Sequence, residues 1–174
     1  LDTLFPLLQQ NDQDGLRNWL DISKPLFKSN IPDVDGNSML MLILKLFFQA
    51  QKVMNTNTLN IWKNFLKDIF EKYSNQLDMK DIKGQTPLML AVEAKETEFV
   101  EQILEAGANA NIQNYQGMSA LHTACKIRDK KIFDAFFMES SNWELTTIDG
   151  RLPLHTAGWS GNIYAVEKQE EFKP

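Results

Sequence analysis

The chain has 174 residues, 43% of them hydrophobic and 24% charged, which fits one soluble globular domain and excludes collagen-like, mucin-like and wholly disordered classes. Its 18 Lys and Arg against 23 Asp and Glu leave a net charge of −5, which lacks a nucleic-acid binder's electrostatic footprint but leaves room for a local basic patch. One cysteine makes no internal disulfide, and there is no Asn-x-Ser/Thr acceptor and no signal peptide, so an intracellular setting is expected. In chain order, Leu4, Leu7, Leu8, Leu16, Trp19 and Leu20 are the apolar positions of two helices with a turn at residues 11–15. A turn follows at Asp33-Val34-Asp35-Gly36, then an apolar run over residues 39–44, resumed at 46–48, which is too short to span a bilayer. Residues 49–60 are rich in Asn, Thr and Gln and read as a mobile loop that the fold can lose, either functional or disordered. A helical stripe then runs through Ile61, Trp62, Phe65, Leu66, Ile69, Phe70 and Tyr73, opposite Lys63, Lys67, Asp68 and Lys72.

From here the chain repeats. Gly84, Gly117 and Gly150 are 33 residues apart, and Leu88, Leu121 and Leu154 and then Ala91, Ala124 and Ala157 keep the same step. Each glycine suits a turn. Thr86 or Ser119 can cap the helix that follows, with Pro87 or Pro153 in its first turn. Leu88, Ala91 and Val92 form one apolar stripe, and the alanine lets neighbouring helices approach closely. After a break near Lys95, a second stripe runs through Phe99, Val100, Ile103 and Leu104 and ends at Gly107, a C-cap glycine. One period is therefore turn, helix, turn, helix, and neither helix hides its apolar face without a neighbouring unit. Gly36 to Gly84 is 48 residues, one period with a surplus of about 15, which the 49–60 loop would hold.

The segments GQTPLMLAVEA, GMSALHTACKI and GRLPLHTAGWS, with the LEAGANAN that closes the best unit, resemble the ankyrin repeat. The resemblance implies an all-α solenoid of stacked helix-turn-helix units with projecting β-turn fingers. Five approximate units are expected, at 1–32, 33–80, 81–113, 114–146 and 147–174. The first is degenerate, and the second has Met39 where proline is usual. The fifth loses the pattern at Gln169 and Glu170, which fits a polar terminal cap or, preferably, a longer chain that continues.

No catalytic, cofactor or metal site is expected. His122 and His155 occupy one phase and, in this family, hydrogen-bond the neighbouring turn, while Met41 and Met89 replace them in other units. Cys125 with His122 three residues earlier lacks the further groups nucleophilic catalysis needs, and one Cys with two His falls short of a zinc site. Glu93, Glu96, Glu98, Glu101 and Glu105 read as a solvated helix surface, and Lys126, Arg128, Lys130 and Lys131 as a hydrated turn, with contact to an acidic peptide or phosphate as the alternative.

The family resemblance implies protein binding through the finger tips and the concave face of the inner helices. The position two before each turn glycine holds Val34, Ile82, Tyr115 and Ile148, all apolar, which marks an interface or, for the three aliphatic residues, equally the pairing of adjacent hairpins by β-branched side chains. Neighbouring tip positions hold Lys83, Gln116 and Asp149, followed after the glycines by Gln85, Met118 and Arg151. Lys126 and Trp159 should look into the same concavity. The expected partner is a protein, with no nucleic acid, membrane or small-molecule substrate. The alternative is a regulatory or targeting segment of a larger enzyme or transcription regulator.

Overall fold

The computed structural model describes residues 3–10, 12–29, 31–137 and 141–171. It is all-α, 64% helical, with no strand among the described residues. Among the described residues, ten α-helices follow in order: α1 Leu4–Gln9, α2 Gln13–Ser29, α3 Met39–Ala50, α4 Thr56–Lys72, α5 Pro87–Ala94, α6 Thr97–Glu105, α7 Ala120–Ile127, α8 Lys130–Phe137, α9 Pro153–Ser160 and α10 Ile163–Glu171. Helices α3, α5, α7 and α9 stack on one another as an inner row, while α4, α6, α8 and α10 form an outer row behind them.

Local chemistry explains where these helices start and stop. The Thr86 and Ser119 side chains accept the backbone N–H groups of Met89 and His122, and Pro87 and Pro153 sit in the first turns of α5 and α9. Gly107, with φ +92°, ends α6: its N–H goes to Leu104 O and that of Ala108 to Ile103 O, which satisfies carbonyls the helix leaves free. Ala91, Ala124 and Ala157 are fully buried along the inner row, where their small side chains let neighbouring helices lie close. The outer row supplies bulk through Trp62, Phe65, Phe70, Phe99, Ile103 and Phe133, all buried.

Each finger is a turn closed twice, once by the glycine N–H on the carbonyl three residues back and once across its base. The pairs are Gly36 to Asp33, Gly84 to Asp81, Gly117 to Asn114 and Gly150 to Thr147. The side chain at the first position also accepts backbone N–H groups of its own turn. Asp81 Oδ1 takes those of Lys83 and Gln85 at 2.9 Å, and Asn114 Oδ1 takes those of Gln116 and Met118 at 2.9 Å. Consecutive fingers then join through the backbone: Ile82 donates to Asp35 O, Tyr115 to Lys83 O and Ile148 to Gln116 O, at 3.0, 3.2 and 3.0 Å.

Two expectations need correction. The 49–60 segment is not a loop: α3 runs to Ala50, a 3-10 turn covers Gln51–Val53, and α4 begins at Thr56. Helices α3 and α4 have 12 and 17 residues against 8 and 9 in α5 and α6, and five connecting residues replace two, which accounts for the whole surplus. The polar residues suit the outward face and the start of a helix. Asn55 caps α4 by accepting the N–H of Thr58 at 2.8 Å, and Thr58 is buried, so the segment is structural. The first helix pair also differs. Gly15 lies inside α2, which is 17 residues long, so the turn expected at 11–15 is shorter; Asn11 and the Leu8 side chain lie outside the described residues. The α1–α2 pair packs on the long helices through Trp19 against Phe65 and through Phe27 stacked on Tyr73 at 4.1 Å. Buried Gln76 ties the two together, accepting from Leu40 N and donating to Phe27 O. In α10, the side chains of Gln169 and Glu170 lie outside the described residues.

A Cβ on Gly84 would lie 2.7 Å from Tyr115 N, whereas one on Gly150 meets nothing within 4 Å, although both glycines have a positive φ. Gly150→Ala is therefore expected to cost about 1–2 kcal/mol, the backbone penalty alone, and Gly84→Ala distinctly more. Urea denaturation of the two variants checks that order. Ala124→Leu should overpack the inner row and lower stability by about 1–3 kcal/mol in the same assay.

Candidate functional site

The fingers and the inner helices enclose two hollows on the concave side. One, of about 770 Å³, lies between fingers 81–85 and 114–118 and is lined by Ile82, Lys83, Gln85, Tyr115, Gln116, Met118 and Lys126 among others. The other, of about 640 Å³, lies between fingers 114–118 and 147–151 and is lined by Gln116, Met118, Lys126, Ile148, Asp149, Arg151 and Trp159 with neighbours. The hollows share Gln116, Met118 and Lys126 and so form one continuous groove. Of the tip and inner-helix residues singled out in the sequence, all but Val34 line it.

The apolar tips stand out from the fingers: Ile82 is 59% exposed, Tyr115 64% and Ile148 76%. Their backbones are held by the finger-to-finger hydrogen bonds, so the side chains project from a fixed frame. Val34 is also exposed but lies outside the two hollows. Trp159, 72% exposed on α9, carries the Arg151 guanidinium 4.2 Å from its ring centroid, a cation–π stack on the groove wall. Gln85 donates to Glu93 Oε1 at 2.7 Å, and Met118 is half-buried.

The sequence reading missed part of the wall. Lys95 and Arg128 line the first hollow at one phase of the repeat, each ending an inner helix in the left-handed conformation with φ 61°. Gly161 holds the third such position with φ 68°. The cluster at 126–131, read as a hydrated turn, divides: Lys126 and Arg128 face the groove, while Lys130 lies 4.7 Å over the Tyr164 ring in the outer row. Lys83, Lys95, Lys126, Arg128 and Arg151 thus face Glu93 and Asp149, a positive groove in a chain of net charge −5.

His122 fixes the finger that carries Arg151. Its Nε2–H donates to Arg151 O at 3.1 Å, and Nδ1 accepts the Ser119 N–H at 3.2 Å, which selects one neutral tautomer. Burial holds its pKa below the usual histidine value. The exposed ring of His155 accepts the Leu152 N–H through Nδ1 at 3.0 Å. Cys125 is fully buried and its thiol is pushed up to about 12, so at neutral pH it is not a thiolate nucleophile. Its carbonyl oxygen accepts from Ser160 and Asn162, joining α7 to the end of α9. Among the described residues, no three His, Cys, Asp or Glu side chains gather to hold a metal ion, and no helix is long and apolar enough to cross a membrane.

Paired helices in two rows with a finger between successive pairs define a helical-repeat solenoid. Residues 47–147 and 95–168 match the family model for ankyrin repeats in three copies, and the chain belongs to the ankyrin-repeat family, a protein-interaction module. It is 36% identical over 92 residues to NF-kappa-B inhibitor delta of Mus musculus, covering 52% of this chain and 28% of that protein. It is 32% identical over 114 residues to the nuclear factor NF-kappa-B p105 subunit of Gallus gallus, covering 61% of this chain and 12% of the relative. A putative ankyrin repeat protein of Acanthamoeba polyphaga mimivirus aligns at 24% identity with 90% of this chain and 24% of its own length. The chain thus spans less than a third of each of these relatives.

Because an unfolded His122 titrates near the ordinary value and the folded one below it, lowering the pH protonates the unfolded state first. The stability contributed by neutral His122 is complete above about pH 6.5 and is lost as the pH falls below it. Urea midpoints at pH 7.5 and 5.5 should fall more in the native protein than in His122→Gln; equal falls would remove His122 as the source.

Proposed function

We propose that this chain is a non-catalytic interaction module that binds a partner protein in the groove between its fingers and inner helices. The observation that carries the reading is the row of exposed apolar tips, Ile82, Tyr115 and Ile148, on a backbone held by inter-finger hydrogen bonds, beside exposed Trp159 on α9. Aromatic and apolar groups of this kind form the energetic centres of protein interfaces. A surface already ordered before contact loses little conformational entropy on binding. Lys83, Gln85, Gln116, Met118, Lys126, Asp149 and Arg151 would contribute the surrounding polar contacts. The reading takes the protein to be intracellular, where the free thiol of Cys125 stays reduced.

A second reading, that the module regulates or targets a larger enzyme or transcription regulator, is favoured by the small share of its relatives that the chain covers. Both readings assign the same groove.

Replacing Tyr115 and Trp159 together by Ala should reduce capture of partner proteins from an extract by about tenfold or more, with helical content and melting temperature nearly unchanged. Unchanged capture places binding elsewhere. A much lower melting temperature makes these side chains part of the core.

A further inference from the structure

We infer that the groove accepts an acidic polypeptide segment carrying aromatic or large apolar anchors; this rests on the groove reading above and adds the chemistry of the partner. Charge gives the first argument. Five basic side chains face two acidic ones in the groove of a chain whose net charge is −5, so positive charge is concentrated where the apolar tips also gather. Among the described residues, none of the five cations is held in a salt bridge. One of the two anions, Glu93, is already occupied by Gln85.

The backbone gives the second. Lys95 and Arg128 adopt φ 61°, a conformation in which a β-carbon is penalised and glycine is not. The chain places glycine at the third equivalent position, Gly161, so the fold accepts glycine there. At the two positions that line the first hollow, it keeps a long cationic side chain in spite of that penalty. Strain retained at a candidate site points to function. Gly161 itself serves Arg128: a Cβ there would lie 3.1 Å from the guanidinium nitrogen, so the missing side chain leaves that arm room to extend.

The two hollows divide the recognition. The first, with Lys83, Lys95, Lys126 and Arg128 against Glu93, suits carboxylates. The second, with the Arg151–Trp159 stack and Ile148, suits an aromatic or aliphatic anchor. The negative chain as a whole, Asp149 at a finger tip and the apolar row favour a polypeptide over a phosphate backbone.

The test uses fluorescence anisotropy with four labelled probes: a short Asp/Glu peptide containing one Phe and one Trp, the same peptide with both aromatics replaced by Ala, a Lys/Arg peptide with the same aromatics, and a single-stranded oligonucleotide. The acidic aromatic peptide should bind tightest and lose about tenfold or more in affinity between low and high salt. Lys95→Gly with Arg128→Gly should weaken it by about tenfold, while the melting temperature holds or rises because the backbone penalty is relieved. Tighter binding of the basic peptide or the oligonucleotide, salt-insensitive binding, or an unaltered affinity in the double glycine variant overturns the inference. If the basic peptide binds and Tyr115→Ala with Trp159→Ala abolishes that binding, the groove stands and only the charge assignment falls. Acidic-peptide binding that ignores Tyr115→Ala with Trp159→Ala makes the groove itself wrong.

Discussion

The architecture depends on how closely one finger lies against the next. Gly36, Gly84 and Gly117 each leave no room for a β-carbon, because the backbone of the following finger begins within 3 Å of where it would stand. At that spacing the N–H two residues before the next glycine reaches the carbonyl of the residue preceding this one, and this backbone bond, with side-chain bonds such as Lys80 to Gln113 O and Gln113 to Thr146 O, sets the pitch of the array. The small residues at 91, 124 and 157 hold the inner helices at a compatible distance, and His122 makes a further tie between α7 and the last finger.

The groove follows from the same constraint. Residues on separate turns, far apart in the chain, are brought into line because their carrier backbones are bonded in series. Apolar side chains at those tips are left in water by a frame whose stability lies elsewhere, in the aromatic outer row and the buried inner stripe. That separation of tasks allows the tip residues to vary without disturbing the fold.

Much of this was legible in the sequence because a repeat shows each physical requirement several times. The 33-residue phase of Gly84, Gly117 and Gly150 located the fingers, and Thr86, Ser119 and Pro87 marked the helix starts. The 49–60 segment was misread because Gln, Asn, Thr and Lys look alike in a loop and on the wet side of a helix; the signal available was Asn55 as a cap. Lys95 and Arg128 were hidden for a different reason, since residue type does not announce a left-handed backbone, and only their phase with Gly161 does. The aspartate or asparagine three before a turn glycine, as at Asp81 and Asn114, stands in the repeat motif itself, while its bonds to the turn's own N–H groups come only with the folded turn. Gln76 left no trace, because its partners Leu40 and Phe27 are 36 and 49 residues away.

The surplus length in α3 and α4 has a consequence for how the array can be cut and rejoined. At about 1.5 Å per residue, α4 extends about 25 Å against about 13 Å for α6, and its surplus first half is covered by the lengthened α3, where buried Trp62 packs on Phe47. Helices α1 and α2 pack on its second half and the turn after it, with Trp19 against Phe65, Phe27 against Tyr73 and Gln76 as the mortar. The first four helices therefore make one indivisible foundation stone, while the rungs after it remain bricks of common size. Shuffling experiments that treat every rung as interchangeable would work downstream of finger 81–85 and crumble upstream of it.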